Sequence, residues 1–325
     1  MIAHLDSPDT TVPMPLVITP DSRPSADKPR FLDEVRRRLR AEHYSPRTEE
    51  AYVGWIRRFI LFHGKRHPSP LGQEEVTRFL TSLAIHHKVA SSTQNQALCA
   101  LLFLYGTVLR RDLAWLEGFV RARGPRRLPT VLARDEVRAI LGHLGGIPWL
   151  VVTLLYGGGL RLTEALRLRI KDVDFGASQI IVRRGKGNKD RVTLLPAIAQ
   201  ERLRRHLEFV RSQHQADLLL GAGWVELPEA LGRKYPQAGR DWSWQWVFPA
   251  SRRYAEPRAR QVRRHHFHES AIQREVFKAV RRAGITKPAS CHTFRHSFAT
   301  HLLQGVAFLP CHPPGTEAAA DGLPS

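Results

Sequence analysis

The sequence predicts a mainly α protein with a small antiparallel β-sheet, built as an N-terminal helical bundle, a basic linker and a second, mostly helical domain. Three observations predict it. Apolar residues recur at three- and four-residue spacing through 31–120. A run of Pro, Gly and Arg breaks that period at 121–130. Beyond it, two short β-branched runs flank a Gly-rich turn among further helical stripes. At 325 residues the chain has room for about two domains of ~150 residues each.

Taken in order, residues 1–30 are rich in Pro, Asp, Ser and Thr without any period and predict a disordered tail. A first helix is expected over Phe31 to His43. Ser45 and Pro46 then form an N-cap and first-turn signature, and Tyr52, Trp55, Ile56, Phe59 and Ile60 share one helical face until Gly64. Glu74 to Ala84 and Ser92 to Leu109 complete a four-helix bundle. The stretch RARGPRRLPT at 121–130, with Arg126 and Arg127, reads as a basic linker. Helices follow at Arg134 to Leu144 and at Trp149 to Tyr156, the latter apolar enough for Tyr156 to be a core residue and closed by Gly157, Gly158 and Gly159. Ile180 to Val182 and Val192 to Leu195 are expected strands about a turn at Gly185 to Asp190. Helices at Ala197 to Gln213, at Ser270 to Ala283 closed by Gly284, and at about Ser290 to Gln304 end the regular pattern.

Charge points to the partner. Lys plus Arg number 50 against 30 Asp plus Glu, a formal net charge of +20. Such an excess favours nucleic acid through phosphate neutralisation. With 41 Arg to 9 Lys, most of those cations carry the planar fork that suits phosphate oxygens. The three cysteines, Cys99, Cys291 and Cys311, lack paired spacing, which argues against a disulfide framework or zinc site and for a reducing, cytoplasmic setting. No signal-like segment and no apolar run of about 18 residues supports secretion or membrane insertion. His265, His266 and His268 lack the usual ligand spacing, so no metal is expected.

Three motifs carry chemistry. LLYGGGLRLTEALRL sets Arg161 at a helix start after a Gly-rich helix end, where a cation and free backbone N–H groups can meet an anion. RRGKGNKDR puts Lys186 at a hairpin tip, with Lys189 and Arg191 following. CHTFRHSFATHLL places His292 and Arg295 on one helix face, while Phe294, Phe298 and Leu302 on another can enter the core. In this order and after a helical domain, GLRLTEALRL, GKGNKDR and HTFRHSFATHLL strongly resemble the tyrosine recombinase family of phage integrases, Xer recombinases and integron integrases, over roughly Phe31 to Gln304.

The resemblance implies a core-binding, SAM-like clamp domain at 31–120, a catalytic domain at 131–304 and an aberrant tail at 305–325. It also implies roles. Arg161 and Arg295 would clamp the scissile phosphate, His292 would hydrogen-bond it, and Lys186 would protonate the leaving oxygen. Two fixed guanidinium forks stabilise the charge that grows on the non-bridging oxygens. A phosphotyrosyl link conserves the bond energy, so neither a metal nor any other cofactor is needed. The segment at about 221–264, GWVELPEALGRKYPQAGRDWSWQWVFPA followed by VRRHH, is similar to an insertion of integron integrases. There Trp242, Trp244 and Trp246 alternate, so an extended chain shows them on one face. They either pack the insertion on its domain or stack on extruded bases of a folded single-stranded site, beside Arg263, Arg264 and His265. Arg36, Arg37, Arg38 and Arg40 form a DNA-facing stripe or a solvated face.

All six tyrosines, Tyr44, Tyr52, Tyr105, Tyr156, Tyr235 and Tyr254, precede His292, whereas the family places its nucleophile after the HxxR motif. Instead, Gln304 is followed by GVAFLPCHPPGTEAAADGLPS, where the PCHPP context of His312 forbids a helix. The expectation is an integron-type recombinase, a homo-oligomer on folded single-stranded and duplex sites when intact, with its C-terminus lost or replaced. Two other readings stay open. One is a non-catalytic DNA-binding protein that occupies recombination sites or joins intact integrase, and the other is an unrelated helical DNA-binding regulator.

Overall fold

A computed structural model of the chain describes residues 31–111, 128–183, 189–228, 231–257 and 259–307. The tail at 1–30, linker residues 121–127 with Arg126 and Arg127, the hairpin residue Lys186, and Cys311 and His312 lie outside the described residues. The chain divides at residues 126 and 127 into two units.

In the first, α1 (Phe31–Ala41), α2 (Pro46–Phe62), α3 (Gln73–Ile85) and α4 (Ser91–Phe103) pack around Val35, Leu39, Ile56, Phe59, Leu80 and Leu101. The Ser45 hydroxyl accepts from Thr48 N at 3.1 Å and Pro46 opens α2, as the spacing predicts. α4 stops at Phe103, short of the expected Leu109, and passes into a π-helical turn over Leu104–Val108. That widening turns Tyr105 fully inward, with its hydroxyl donating to Pro68 O at 3.3 Å.

The second unit builds its core on α6 (Gly146–Gly157), an apolar helix whose Trp149 to Leu155 are all buried. Around it lie α5 (Arg134–Gly142), the short α7 (Leu162–Leu166), α8 (Ala197–Leu219), α9 (Leu231–Lys234), α10 (Glu269–Arg282) and α11 (Cys291–Ala307). Strands β1 (Val173–Asp174), β2 (Gln179–Val182) and β3 (Arg191–Leu194) form an antiparallel sheet in the order β1-β2-β3. The register pairs Ile181 with Val192 and Val182 with Arg191. Ser297, fully buried on α11, accepts from Leu132 N at 2.9 Å and so ties the entering strand of chain to the last helix.

The glycine run after α6 is a packing device. A Cβ on Gly157 would lie 2.4 Å from the Pro196 ring, and one on Gly158 would lie 2.9 Å from Leu194 O. Gly159 has φ +60°, and its missing side chain makes room for the Phe298 ring, 2.6 Å from where a Cβ would stand. These contacts press the end of α6 against β3 and α11.

Several expectations are corrected. A second hairpin, β4 (Pro249–Glu256) with β5 (Gln261–His266), stands where no strands were read, because its Arg-rich strands are half-exposed and lack apolar alternation. α8 continues six residues past Gln213 to Leu219. Trp242–Trp244 is one turn of 3₁₀ helix, so the three tryptophans do not share one extended face. Leu302 is 53% exposed, and does not enter the core with Phe294. Tyr156 packs against the core half-buried rather than enclosed, and its hydroxyl meets His301 Nδ1 at 2.8 Å. Among the described residues, no helix is long and apolar enough to cross a membrane.

Candidate functional site

Arg161 is the N-cap residue of α7, in extended conformation at φ −79°, ψ 153°. Three residues on, Glu164 reaches back, and its Oε2 accepts from the Arg161 backbone N–H at 2.8 Å. That N–H is therefore occupied by a carboxylate of its own helix, which corrects the expectation of a free backbone donor beside Arg161.

Glu164 organises more than the helix start. Its Oε1 accepts from Arg161 Nη1 at 2.8 Å, and its two oxygens accept from Arg191 Nη1 at 3.1 Å and Nη2 at 2.6 Å. Arg295 Nη1, donated to the Gly159 carbonyl, lies 3.8 Å from the same Oε2. The glycine run positions this meeting, since it delivers Arg161 from α6 and the Gly159 carbonyl to α11. The Glu164 side chain is only 9% exposed. Burial alone would raise its pKa, but hydrogen bonds from Arg191 and Arg161 outweigh that and bring it down to about 2. Three guanidinium groups thus face one carboxylate, an excess of positive charge in a partly desolvated place. Arg295 reports the crowding, since desolvation first and then the charge of Arg161 lower its pKa.

His292 lies one turn before Arg295 on α11, exposed, with its ring centroid 4.4 Å from that of His296. Desolvation, then the charges of His296, Arg295 and Arg161, lower its pKa, which favours a neutral imidazole beside the cations. A neutral ring can both donate and accept a hydrogen bond. Beside an entering phosphate, this arrangement offers two planar forks and an imidazole without further charge separation. Arg161, Arg191, His292 and Arg295 therefore belong to one place. Sequence reasoning missed Glu164, although a Glu three residues after a helix N-cap was its signal.

The other candidates fall elsewhere. Lys189 is exposed. Arg36 pairs with Asp33 at 2.9 Å and Arg37 with Glu34, so acids one turn earlier offset these two of the four arginines in the stripe. Arg264 donates to both oxygens of buried Asp217, at 2.6 and 3.0 Å, and to the Ala250 and Ser251 carbonyls, which makes it a brace of the β4–β5 hairpin. Arg263 chelates Gln261 Oε1. Trp246 is 6% exposed, its Nε1 donates to Arg264 O at 3.1 Å, and the Arg169 guanidinium lies 3.1 Å over its ring. Trp246 is thus a packing residue of this segment, and Arg264 is engaged with Asp217 and two carbonyls. Trp244 carries Lys171 Nζ 2.9 Å over its ring, and Trp242 lies 5.9 Å from the His214 ring. His265 is exposed and stacks obliquely on His266 at 4.1 Å. No group of His, Cys, Asp and Glu among the described residues is arranged to hold a metal.

A family model described as phage integrase, N-terminal SAM-like domain, matches residues 31–115, and one described as phage integrase family matches residues 131–309. An integrase/recombinase of Escherichia coli is 52% identical over 275 residues, 85% of this chain and 82% of the relative, and one of Pseudomonas aeruginosa matches with the same figures. A solved lambda integrase dimer bound to a COC′ core site is similar in fold, with TM-score 0.56 at 13% identity over 85% of this chain and 89% of that one. Matches of this extent and identity mean that the chain belongs to the phage integrase family of tyrosine recombinases.

Proposed function

We propose that this chain is a site-specific recombinase of integron gene cassettes that grips the scissile phosphate for phosphotyrosyl chemistry, with cleavage defective in these 325 residues because they hold no tyrosine after Arg295. The carrying observation is the convergence of Arg161, Arg191 and Arg295 on one buried carboxylate, with His292 alongside. In this reading Arg161 and Arg295 bind the non-bridging oxygens and stabilise the charge that develops there. His292 hydrogen-bonds the same phosphate. Lys186 is the general acid toward the leaving 5′ oxygen. Arg126, Arg127 and Lys189 add phosphate contacts, and so do Arg36 and Arg37 to the extent that DNA displaces their acidic neighbours.

The 325 residues hold no tyrosine after Arg295, and the six present lie on other elements. Tyr44, Tyr52 and Tyr105 belong to the helical bundle, Tyr156 is held by His301, and Tyr235 and Tyr254 sit in the segment expected as an insertion. The lambda integrase dimer of like fold is bound to core-site DNA, and DNA is the partner proposed here. Half-buried Trp242 and Trp244 remain available for extruded bases.

Two assays test the reading. In a gel shift at low salt the protein should bind a folded single-stranded integron site, and lost binding would refute the proposal. Incubated with a nicked suicide substrate, it should yield no covalent protein–DNA adduct on a denaturing gel, and an adduct mapping to any of the six tyrosines would overturn the defect. The second reading, a non-catalytic occupant of recombination sites or a partner of intact integrase, draws on the same missing tyrosine. It is favoured if adding this chain to an active family member changes the yield of recombined product.

A further inference from the structure

We propose that Arg191 is a positioning residue that keeps Glu164 engaged so that Arg161 and Arg295 are free to take a phosphate, a role that rests on the anion-site reading above. The three arginines do not share Glu164 equally. Arg191 reaches both carboxylate oxygens, at 3.1 and 2.6 Å, whereas the Arg161 side chain gives one bond at 2.8 Å and Arg295 approaches only to 3.8 Å. The two-oxygen pair is the one that can satisfy the carboxylate by itself.

The fold holds Arg191 where it is. As the first residue of β3 it pairs with Val182, and two residues on Thr193 Oγ1 donates to Gly158 O at 2.6 Å. The strand is thus pinned to the glycine run that delivers Arg161. Across the hairpin, Arg183 Nε donates to buried Asp172 at 2.7 Å, so both strands are anchored at their loop end by an arginine on a buried acid. Glu164, nearly enclosed, cannot be left without a cationic partner except at considerable cost. With Arg191 absent, its remaining cationic partners are the two arginines that an incoming phosphate needs. The carboxylate would then compete with the ligand for them.

The test is a titration with inorganic phosphate at low ionic strength, followed through the arginine Nε–Hε resonances, with those of Arg161 and Arg295 identified from the Lys substitutions. In the wild-type chain both resonances should move with phosphate. Arg191→Ala should weaken phosphate binding about tenfold or more. Arg191→Lys, which keeps the charge but loses the fork, should fall between. The deciding comparison is Arg191→Ala made on Glu164→Gln, where binding should return to within about threefold of Glu164→Gln alone, because the competing carboxylate is gone. An equal loss in both backgrounds would mean that Arg191 contacts the anion directly, which overturns the inference, and so would unchanged binding in Arg191→Ala. If Arg191→Ala fails to fold, Arg191→Lys and its pair on Glu164→Gln decide by the same comparison. Should neither resonance of the wild-type chain respond, the anion-site reading itself fails and takes this inference with it.

Discussion

Replacing Glu164 by Gln removes the carboxylate that three guanidinium groups share while keeping the side chain's size. Its pKa stands at about 2 against an ordinary 4.5, and each unit corresponds to ~1.4 kcal/mol, so the folded state favours the ionised form by ~3 kcal/mol. Because the folded pKa is the lower one, this contribution is complete above pH about 4.5 and disappears as the pH falls toward 2. Urea unfolding followed by tryptophan fluorescence reads mainly the second unit, which holds Trp149, Trp224, Trp242, Trp244 and Trp246. At pH 7 the variant should be less stable by up to ~3 kcal/mol. Between pH 4.5 and 3 the wild type should lose stability faster than the variant, so that the two curves converge. Other half-buried carboxylates with lowered pKa values, such as Glu49 and Glu136, act in both chains and cancel in the difference. Added phosphate should stabilise the variant more than the wild type, since it supplies the missing negative charge. Equal stability at pH 7 within ~0.5 kcal/mol, with parallel pH curves, would refute the reasoning.

Four further outcomes follow from the same contacts. In a chain extended by a tyrosine-bearing segment after α11, Arg161→Ala or Arg295→Ala should lower strand cleavage by roughly 10²–10³-fold while gel-shift affinity changes little; equal loss of both would make these residues structural. Gly159→Ala, forced to φ +60° and against the Phe298 ring, should cost about 1–3 kcal/mol in urea unfolding, and a neutral effect would contradict the packing described. Trp246→Ala should cost about 3–5 kcal/mol of stability with DNA affinity per folded molecule unchanged, whereas a selective loss of hairpin DNA binding would return Trp246 to the interface. Tyr156→Phe should cost ~1 kcal/mol through the lost bond to His301, and no loss would mean that the bond contributes nothing in solution.

Much of the helical frame was legible. The Ser45–Pro46 start of α2, the apolar stripe of α3, and the His292–Arg295 face of α11 follow from spacing that physical chemistry makes nearly unambiguous. The β4–β5 hairpin was not legible, because strands whose residues are mostly half-exposed carry no alternating signal. The three tryptophans misled for a related reason. Alternation implies one face only if the backbone is extended, and a 3₁₀ turn at Trp242–Trp244 together with the buried bonds of Trp246 breaks that premise. Arg264 likewise looked like a surface cation, yet it is spent on buried Asp217, forty-seven residues away in the chain.

By itself the sequence determined the helical composition, the basic character, and the identity of Arg161, Arg191, His292 and Arg295 as cation and imidazole donors, since these depend on residue type and short spacing. Only the tertiary structure decided which donors meet. Glu164 lies 27 residues from Arg191 and 131 from Arg295, and their approach depends on three glycines that let α6 close on β3 and α11. A local pattern specifies a helix face because neighbouring residues share one backbone geometry. A charged cluster assembled from three elements depends instead on packing distances, and no short stretch of sequence contains them.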